Sequence, residues 1–224
     1  MRAELGIDRW LLFGGSWGAA LALLYAQTHP DRVSGMILRG TFLARREDLD
    51  WFTRCGDNRV FPDFWEDFID LVPENERGDP VEAYYRRVHG DDREESLRAA
   101  RAWSRWAGAI VTWMLPEAPQ QAVDDEQVLN EVRIETHYAR HRYFIEENRI
   151  LDNVDKLPSV PIHIIHGRRD MTCTLSASWQ LHRALPDSRL TIVREGGHLA
   201  GEPVMTDALV TATDEMATRL KSEA

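Results

Sequence analysis

Residues Trp10 to Ala20 read W-L-L-F-G-G-S-W-G-A-A. A short apolar run ends in Gly14-Gly15-Ser16-Trp17-Gly18, and a helical pattern follows at once. Gly-x-Ser-x-Gly between a strand and a helix is the setting in which a serine rides a sharp, strained turn above the edge of a sheet. Side chains two residues either side of that serine are expected to collide with backbone, and glycine at both places removes the collision. The turn also aims the first N–H groups of the helix at the same spot. The N–H of Trp17 is therefore an expected oxyanion donor.

Outward from this turn, Leu11 to Phe13 reads as a buried strand, Ala19 to Ala26 as a helix closed by His29-Pro30, and Val33 to Leu38 as a second strand. Strand, helix and strand in so short a span make a right-handed unit with parallel strands. The same alternation returns after Pro158. Val160 to His166 is a strand followed by Gly167-Arg168-Arg169-Asp170, Ser176 to Leu185 a helix, Leu190 to Val193 a strand followed by Glu195-Gly196-Gly197-His198, and Asp207 to Leu220 a final helix. The residues before Trp10 read as the tail of a helix running into the first strand.

Asp170 and His198 thus each follow a strand, as Ser16 does. Serine-based acyl transfer needs a base to take the hydroxyl proton and a carboxylate to orient that base. Carboxyl ends of parallel strands gather at one edge, so the three loops can converge. Ser16 is expected as nucleophile, His198 as general base and then acid, and Asp170 as the orienting carboxylate. Singly, Asp170 could cap a turn and His198 could be a surface loop residue. His163 and His166 lie in or at the end of a strand, and His89 and His182 at solvated helix positions. His137 and His141 stand four apart on a helix, but no third ligand has a telling spacing, so no metal site is expected.

Between Ala44 and about Asn148 no strand is evident. Asp63 to Phe68 and Pro80 to Val88 are helical and amphipathic, and Leu97, Trp103, Trp106, Ile110 and Trp113 recur near helical spacing. This stripe reads as the core of a small helical subdomain, with some rings free to line a substrate pocket. The expected division is a core of residues 1–43 and 149–224 split by a helical cap of residues 44–148.

Lys and Arg number 27 against 37 Asp and Glu, a net charge of −10, which argues against nucleic acid as a partner. The 2 cysteines, Cys55 and Cys173, are too few and too far apart for a disulfide framework, so a cytoplasmic setting is the default. There is no apolar run of membrane-spanning length and no signal-peptide pattern, so no membrane association is expected. Oligomeric state is not legible.

With these residues placed, the chain resembles the proline iminopeptidases of the α/β-hydrolase superfamily. The likeness rests on G-G-S-W-G-A around Ser16, L-R-G-T-F at Leu38 to Phe42, A-R-A-W-S-R-W at Ala100 to Trp106, V-R-I-E-T-H-Y at Val132 to Tyr138, H-G-R-R-D at His166 to Asp170, and G-G-H at Gly196 to His198. It implies a mainly parallel α/β core with an inserted helical cap, and release of N-terminal proline from small peptides through an acyl-enzyme, with no cofactor. It also implies that Glu135 meets the free amine of the substrate, that Arg39 and Phe42 lie near the pocket, and that Cys173 matches a family cysteine. A carboxylate among aromatic rings suits a protonated secondary amine. Two departures are plain. The family glutamate that follows W-S-x-W is here Ala107, which leaves room for an ester or amide hydrolase without amine recognition. The H-G-G-P-G loop that supplies a second oxyanion donor has no counterpart in the 224 residues. The resemblance therefore implies a chain without the family's N-terminal strands, and an inactive fragment is the further alternative.

Overall fold

The computed structural model describes residues 1–115 and 124–222. The expected cap runs through residues 116–123, which lie outside the described residues. In chain order the elements are β1 (Trp10–Gly15), α1 (Trp17–Thr28), β2 (Val33–Arg39), α2 (Arg46–Thr53), α3 (Asp57–Val60), α4 (Pro62–Ile69), α5 (Pro80–Val88), α6 (Arg93–Thr112), α7 (Asp125–Arg140), β3 (Ile162–Gly167), α8 (Leu175–Ala184), β4 (Arg189–Val193) and α9 (Pro203–Ser222). The chain divides into two compact units, Met1–Ala44 with Glu147–Ala224, and Arg45–Glu146.

The first unit is built on a parallel sheet in the order β1-β2-β3-β4. Both faces of its central strands are covered, which is why β2 and β3 read as nearly unbroken apolar runs. Side chains alternate between faces along a strand. Met36, Leu38, Ile162 and Ile164 pack with Leu23 of α1 and Leu181 of α8. Ile37 and Ile165 pack with Met205, Leu209 and Met216 of α9 on the other face. Full burial of one such aliphatic side chain contributes roughly 1.5–3 kcal/mol. β1 and β4 are the edge strands among the described residues, and Phe13 of β1 is 56% exposed.

Four details differ from the sequence reading. β3 begins at Ile162 rather than Val160, because Pro161 has no N–H to give a ladder; its carbonyl still accepts from the Met36 N–H at 2.9 Å. β1 extends to Trp10 and Gly15, since the ladder with β2 runs through the glycine pair to Arg39. The final helix starts at Pro203, four residues early, where proline suits a first helical position. The residues before Trp10 form turns, not the tail of a helix.

The described residues of the second unit form helices and the turns between them, with no strand. The middle of its expected stripe is core, with Trp103, Trp106 and Ile110 buried, but Trp113 at its end is exposed; the Phe68 and Tyr84 rings stack at 4.4 Å with 8° between planes. Buried polar tips need partners. Tyr84 donates to the Phe68 carbonyl at 2.8 Å, and the Trp106 indole to the Phe52 carbonyl at 3.0 Å.

Candidate active site

The carboxyl ends of β1, β2, β3 and β4 lie along one edge, as parallel pairing requires. Ser16 sits between β1 and α1 with φ 56° and ψ −122°, a backbone conformation that costs a non-glycine residue on the order of 1–3 kcal/mol. The turn is held by the Ser16 N–H, which donates to the Arg39 carbonyl at 2.9 Å. A side chain at Gly14 would run into the Gly18 carbonyl, so the first motif glycine is required by close approach. The second is not: a Cβ at Gly18 would meet nothing outside its own helix. The approach is one-sided, the Gly14 Cα facing the Gly18 backbone. Trp17 is the first residue of α1, so its N–H belongs to the turn of the helix that faces the strand ends.

The loops after β3 and β4 meet backbone to backbone. Any side chain at Gly167 would overlap the carbonyls of Gly196 and Gly197. The N–H groups of Arg168 and Arg169 donate to the carbonyls of Val193 and Gly196, at 2.8 and 2.9 Å. This joining brings Asp170 to His198. Asp170 Oδ2 accepts from His198 Nδ1 at 2.8 Å, and its Oδ1 accepts from the Cys173 N–H at 2.9 Å. A carboxylate can only accept, so the His198 hydrogen is on Nδ1 and Nε2 carries the free lone pair. Ser16 Oγ is in contact with Cys173 Sγ at 3.8 Å and is not hydrogen-bonded to His198.

Two further groups hold His198, and the sequence reading identified neither arrangement. Glu202, itself buried, accepts from the Gly197 N–H at 2.7 Å and from the Leu199 N–H at 3.0 Å, bracketing the histidine. Its only local signal is an acid four residues after His198 and immediately before a helix that starts with proline. Arg39, expected near a substrate pocket, donates from Nη1 to the His198 carbonyl at 2.5 Å. Its guanidinium occupies the space that a side chain at Gly15 would fill. Phe42 is half-buried.

Glu135 lies on α7 in the helical unit. Its Oε2 accepts from the Trp103 indole N–H at 2.7 Å. Crowding by protein atoms pushes its pKa up, partly offset by that hydrogen bond and reinforced by the Glu131 charge. The residue as a whole stays accessible to solvent, so the carboxylate is recessed rather than sealed. His137 and His141 are tied to each other, His141 Nδ1 lying 2.8 Å from the His137 carbonyl. Among the described residues no cluster of His, Cys, Asp and Glu is arranged to hold a metal ion, and no helix is long and apolar enough to cross a membrane.

A family model described as alpha/beta hydrolase fold matches residues 1–202. The chain is 44% identical to a proline iminopeptidase of Arabidopsis thaliana, over 96% of this chain and 58% of that protein. It is also 44% identical to a probable proline iminopeptidase of Leptolyngbya boryana, over 96% of this chain and 67% of that protein. Among solved structures, an esterase of Exiguobacterium antarcticum superposes with a TM-score of 0.58 at 22% identity, over 96% of this chain and 69% of the esterase, a likeness of fold alone. The chain thus spans little more than half the length of the Arabidopsis relative. A strained serine turn, a parallel sheet and these identities lead to one assignment: the chain belongs to the α/β-hydrolase fold family and groups within it with the proline iminopeptidases.

Proposed function

We propose that this chain carries the catalytic serine machinery of a proline iminopeptidase, releasing N-terminal proline from small peptides. The observation that carries the reaction class is the bond between Asp170 and His198 at the same sheet edge as the strained Ser16 turn. In the proposed cycle Ser16 Oγ attacks the carbonyl carbon of the N-terminal proline while His198 Nε2 takes the hydroxyl proton. The Trp17 N–H donates to the oxyanion. Asp170 keeps its charge and stabilises the imidazolium. His198 then gives the proton to the leaving amine, and the C–N bond breaks to leave a prolyl ester on Ser16. Water attacks that ester with His198 again as base, and proline leaves as Ser16 regains its proton. The cycle uses side chains and water, and no cofactor.

The substrate assignment is supported by the names of the relatives. We assign recognition of the protonated proline nitrogen to Glu135, with Phe42 beside the proline ring. Arg39 is better read as a support for His198 than as a substrate ligand, because its guanidinium is engaged by the His198 carbonyl. A reducing, cytoplasmic setting fits two cysteines that form no disulfide. Ala107, half-buried on α6 where the family has a second glutamate, favours a second reading: hydrolysis of esters or amides without a free amine.

The test compares proline β-naphthylamide with N-blocked and simple acyl esters, together with fluorophosphonate labelling of the serine. The peptidase reading expects labelling of Ser16 and preference for the free amine. Glu135→Gln should raise KM for the free-amine substrate about tenfold and leave the esters unchanged. Equal loss on every substrate overturns the assignment of Glu135, and preference for blocked esters favours the second reading.

A further inference from the structure

His166, the penultimate residue of β3, is fully buried, yet the cycle above makes no use of it. Both ring nitrogens have partners. Nε2 lies 2.8 Å from the Cys173 carbonyl oxygen, and Nδ1 lies 2.7 Å from Ser178 Oγ on α8. A carbonyl oxygen only accepts, so Nε2 carries the hydrogen. Burial pushes the His166 pKa below its ordinary value of 6.5, against Asp170 and the Cys173 hydrogen bond and with a further push from His198 and Arg39, so above that pH the ring is neutral. Nδ1 is then an acceptor, and the Ser178 hydroxyl is its donor. The tautomer is locked from α8.

The same Nε2 also lies 3.7 Å from Asp170 Oδ2, the oxygen that accepts from His198. Cys173 closes the arrangement: its carbonyl takes the His166 hydrogen, its N–H bonds Asp170 Oδ1, and its Sγ meets Ser16 Oγ. The buried ring is thus one of the supports of the turn from Asp170 to Cys173.

We propose that His166, held as the neutral Nε2–H tautomer by Ser178, is a positioning residue that sets the Asp170 carboxylate against His198. The proposal rests on the serine-hydrolase reading above. A charged ring at this place would compete with His198 for Oδ2. A neutral one supports the turn and leaves the carboxylate charge to the imidazolium that forms during catalysis.

Three variants test this. His166→Phe keeps an aromatic ring and removes both nitrogens. His166→Gln keeps an N–H donor near the Nε2 position. Ser178→Ala leaves the ring but releases its lock. Two measurements are read on each folded variant, with the thermal midpoint as control. One is the low-field proton resonance of the Asp170–His198 hydrogen bond, which needs no turnover. The other is the pH midpoint and rate of fluorophosphonate labelling. His166→Phe should weaken or move the low-field resonance, lower the labelling midpoint because Asp170 then holds His198 less well, and slow labelling on the order of 10- to 100-fold. Ser178→Ala should move the same observables less, and His166→Gln should restore most of the rate. If His166→Phe does not fold, the other two variants decide. Folded variants with an unchanged low-field resonance and labelling midpoint overturn the proposal. A wild-type chain that is not labelled at all overturns the serine-hydrolase reading instead, and the resonance still judges His166.

Discussion

The half of the sheet that carries Ser16 and the half that carries Asp170 and His198 are held in different ways. β3 lies between two neighbours with every residue buried, and its following loop is bonded to the loop after β4. His198 is fixed through its own carbonyl, through the N–H groups on either side and through its ring. β1 is paired on one side among the described residues, with Phe13 largely open to solvent. Ser16 is located by its N–H bond to the Arg39 carbonyl, by its own carbonyl, which accepts from α1, by the Cys173 Sγ contact and by the strain of its turn. The acid and base are preassembled as a unit; the nucleophile depends on a single ladder. The links between the halves are few, Arg39 and the Cys173 Sγ contact, so a change confined to the serine side chain should leave the Asp170–His198 pair in place.

The largest expected effect is on chemistry. Ser16→Ala should reduce turnover by at least about 10³-fold and abolish fluorophosphonate labelling, while the Asp170–His198 resonance persists. Loss of that resonance in a folded Ser16→Ala variant would break the claimed independence of the halves.

Next come the two close approaches. Gly14→Ala and Gly167→Ala should each destabilise the fold by about 1–3 kcal/mol or more, read as a lowered urea midpoint. The former is expected to spoil labelling and spare the Asp170–His198 bond, the latter to lose both. Gly18→Ala serves as the control, because a Cβ there has room; a loss comparable to that of Gly14→Ala would show that the space is needed after all.

A smaller effect is expected at Glu202. Glu202→Gln replaces one of the two accepting oxygens with an NH2 donor that faces a backbone N–H, and hydrogen bonds to charged groups contribute about 1.5–3 kcal/mol. We expect kcat to fall about tenfold with KM unchanged. A matching rise in KM would place Glu202 in substrate binding rather than in support of His198.

The smallest is a pH effect. Burial lowers the pKa of His166 and of His163 in the folded chain. A depressed folded value means that the unfolded chain takes up the proton first. Stability should thus be full above the ordinary imidazole value of 6.5 and decline as pH falls below it. His166→Gln should flatten part of that decline in thermal melts between about pH 7 and 5. An unchanged slope would mean that His166 is not held neutral by the fold.

How much of this was readable in the sequence follows from the range of each interaction. The parallel α/β class was legible because strand, turn and helix repeat with turn residues at fixed offsets, and Ser16, Asp170 and His198 could be singled out because each directly follows an apolar strand. What holds them was not legible. Glu202 reads as a polar residue in a loop until its two backbone partners are seen, and His166 as an interior strand residue until Ser178 arrives from a later helix. The meeting of Gly167 with Gly196 and Gly197 joins two separate loops, so neither carries a signal alone. The motif around Arg39 gave no sign of its bond to the His198 carbonyl, because the gap above Gly15 that admits its guanidinium shows only in the fold. The early start of α9 was missed because the proline was read as loop rather than as a first helical residue.

The register of the sheet also has a consequence in time. β1 pairs with β2 across a short span, but Met36 of β2 pairs with Ile162 of β3, 126 positions later. Residues 45–146, a compact unit of their own, lie within that interval. As the chain leaves the ribosome, the helical unit can close on contacts between neighbouring helices while β2 waits with one edge unfilled. Local contacts form fast and distant parallel pairing slowly. The serine turn is thus made before the helical unit, whereas the acid and the base join it only after that unit has emerged.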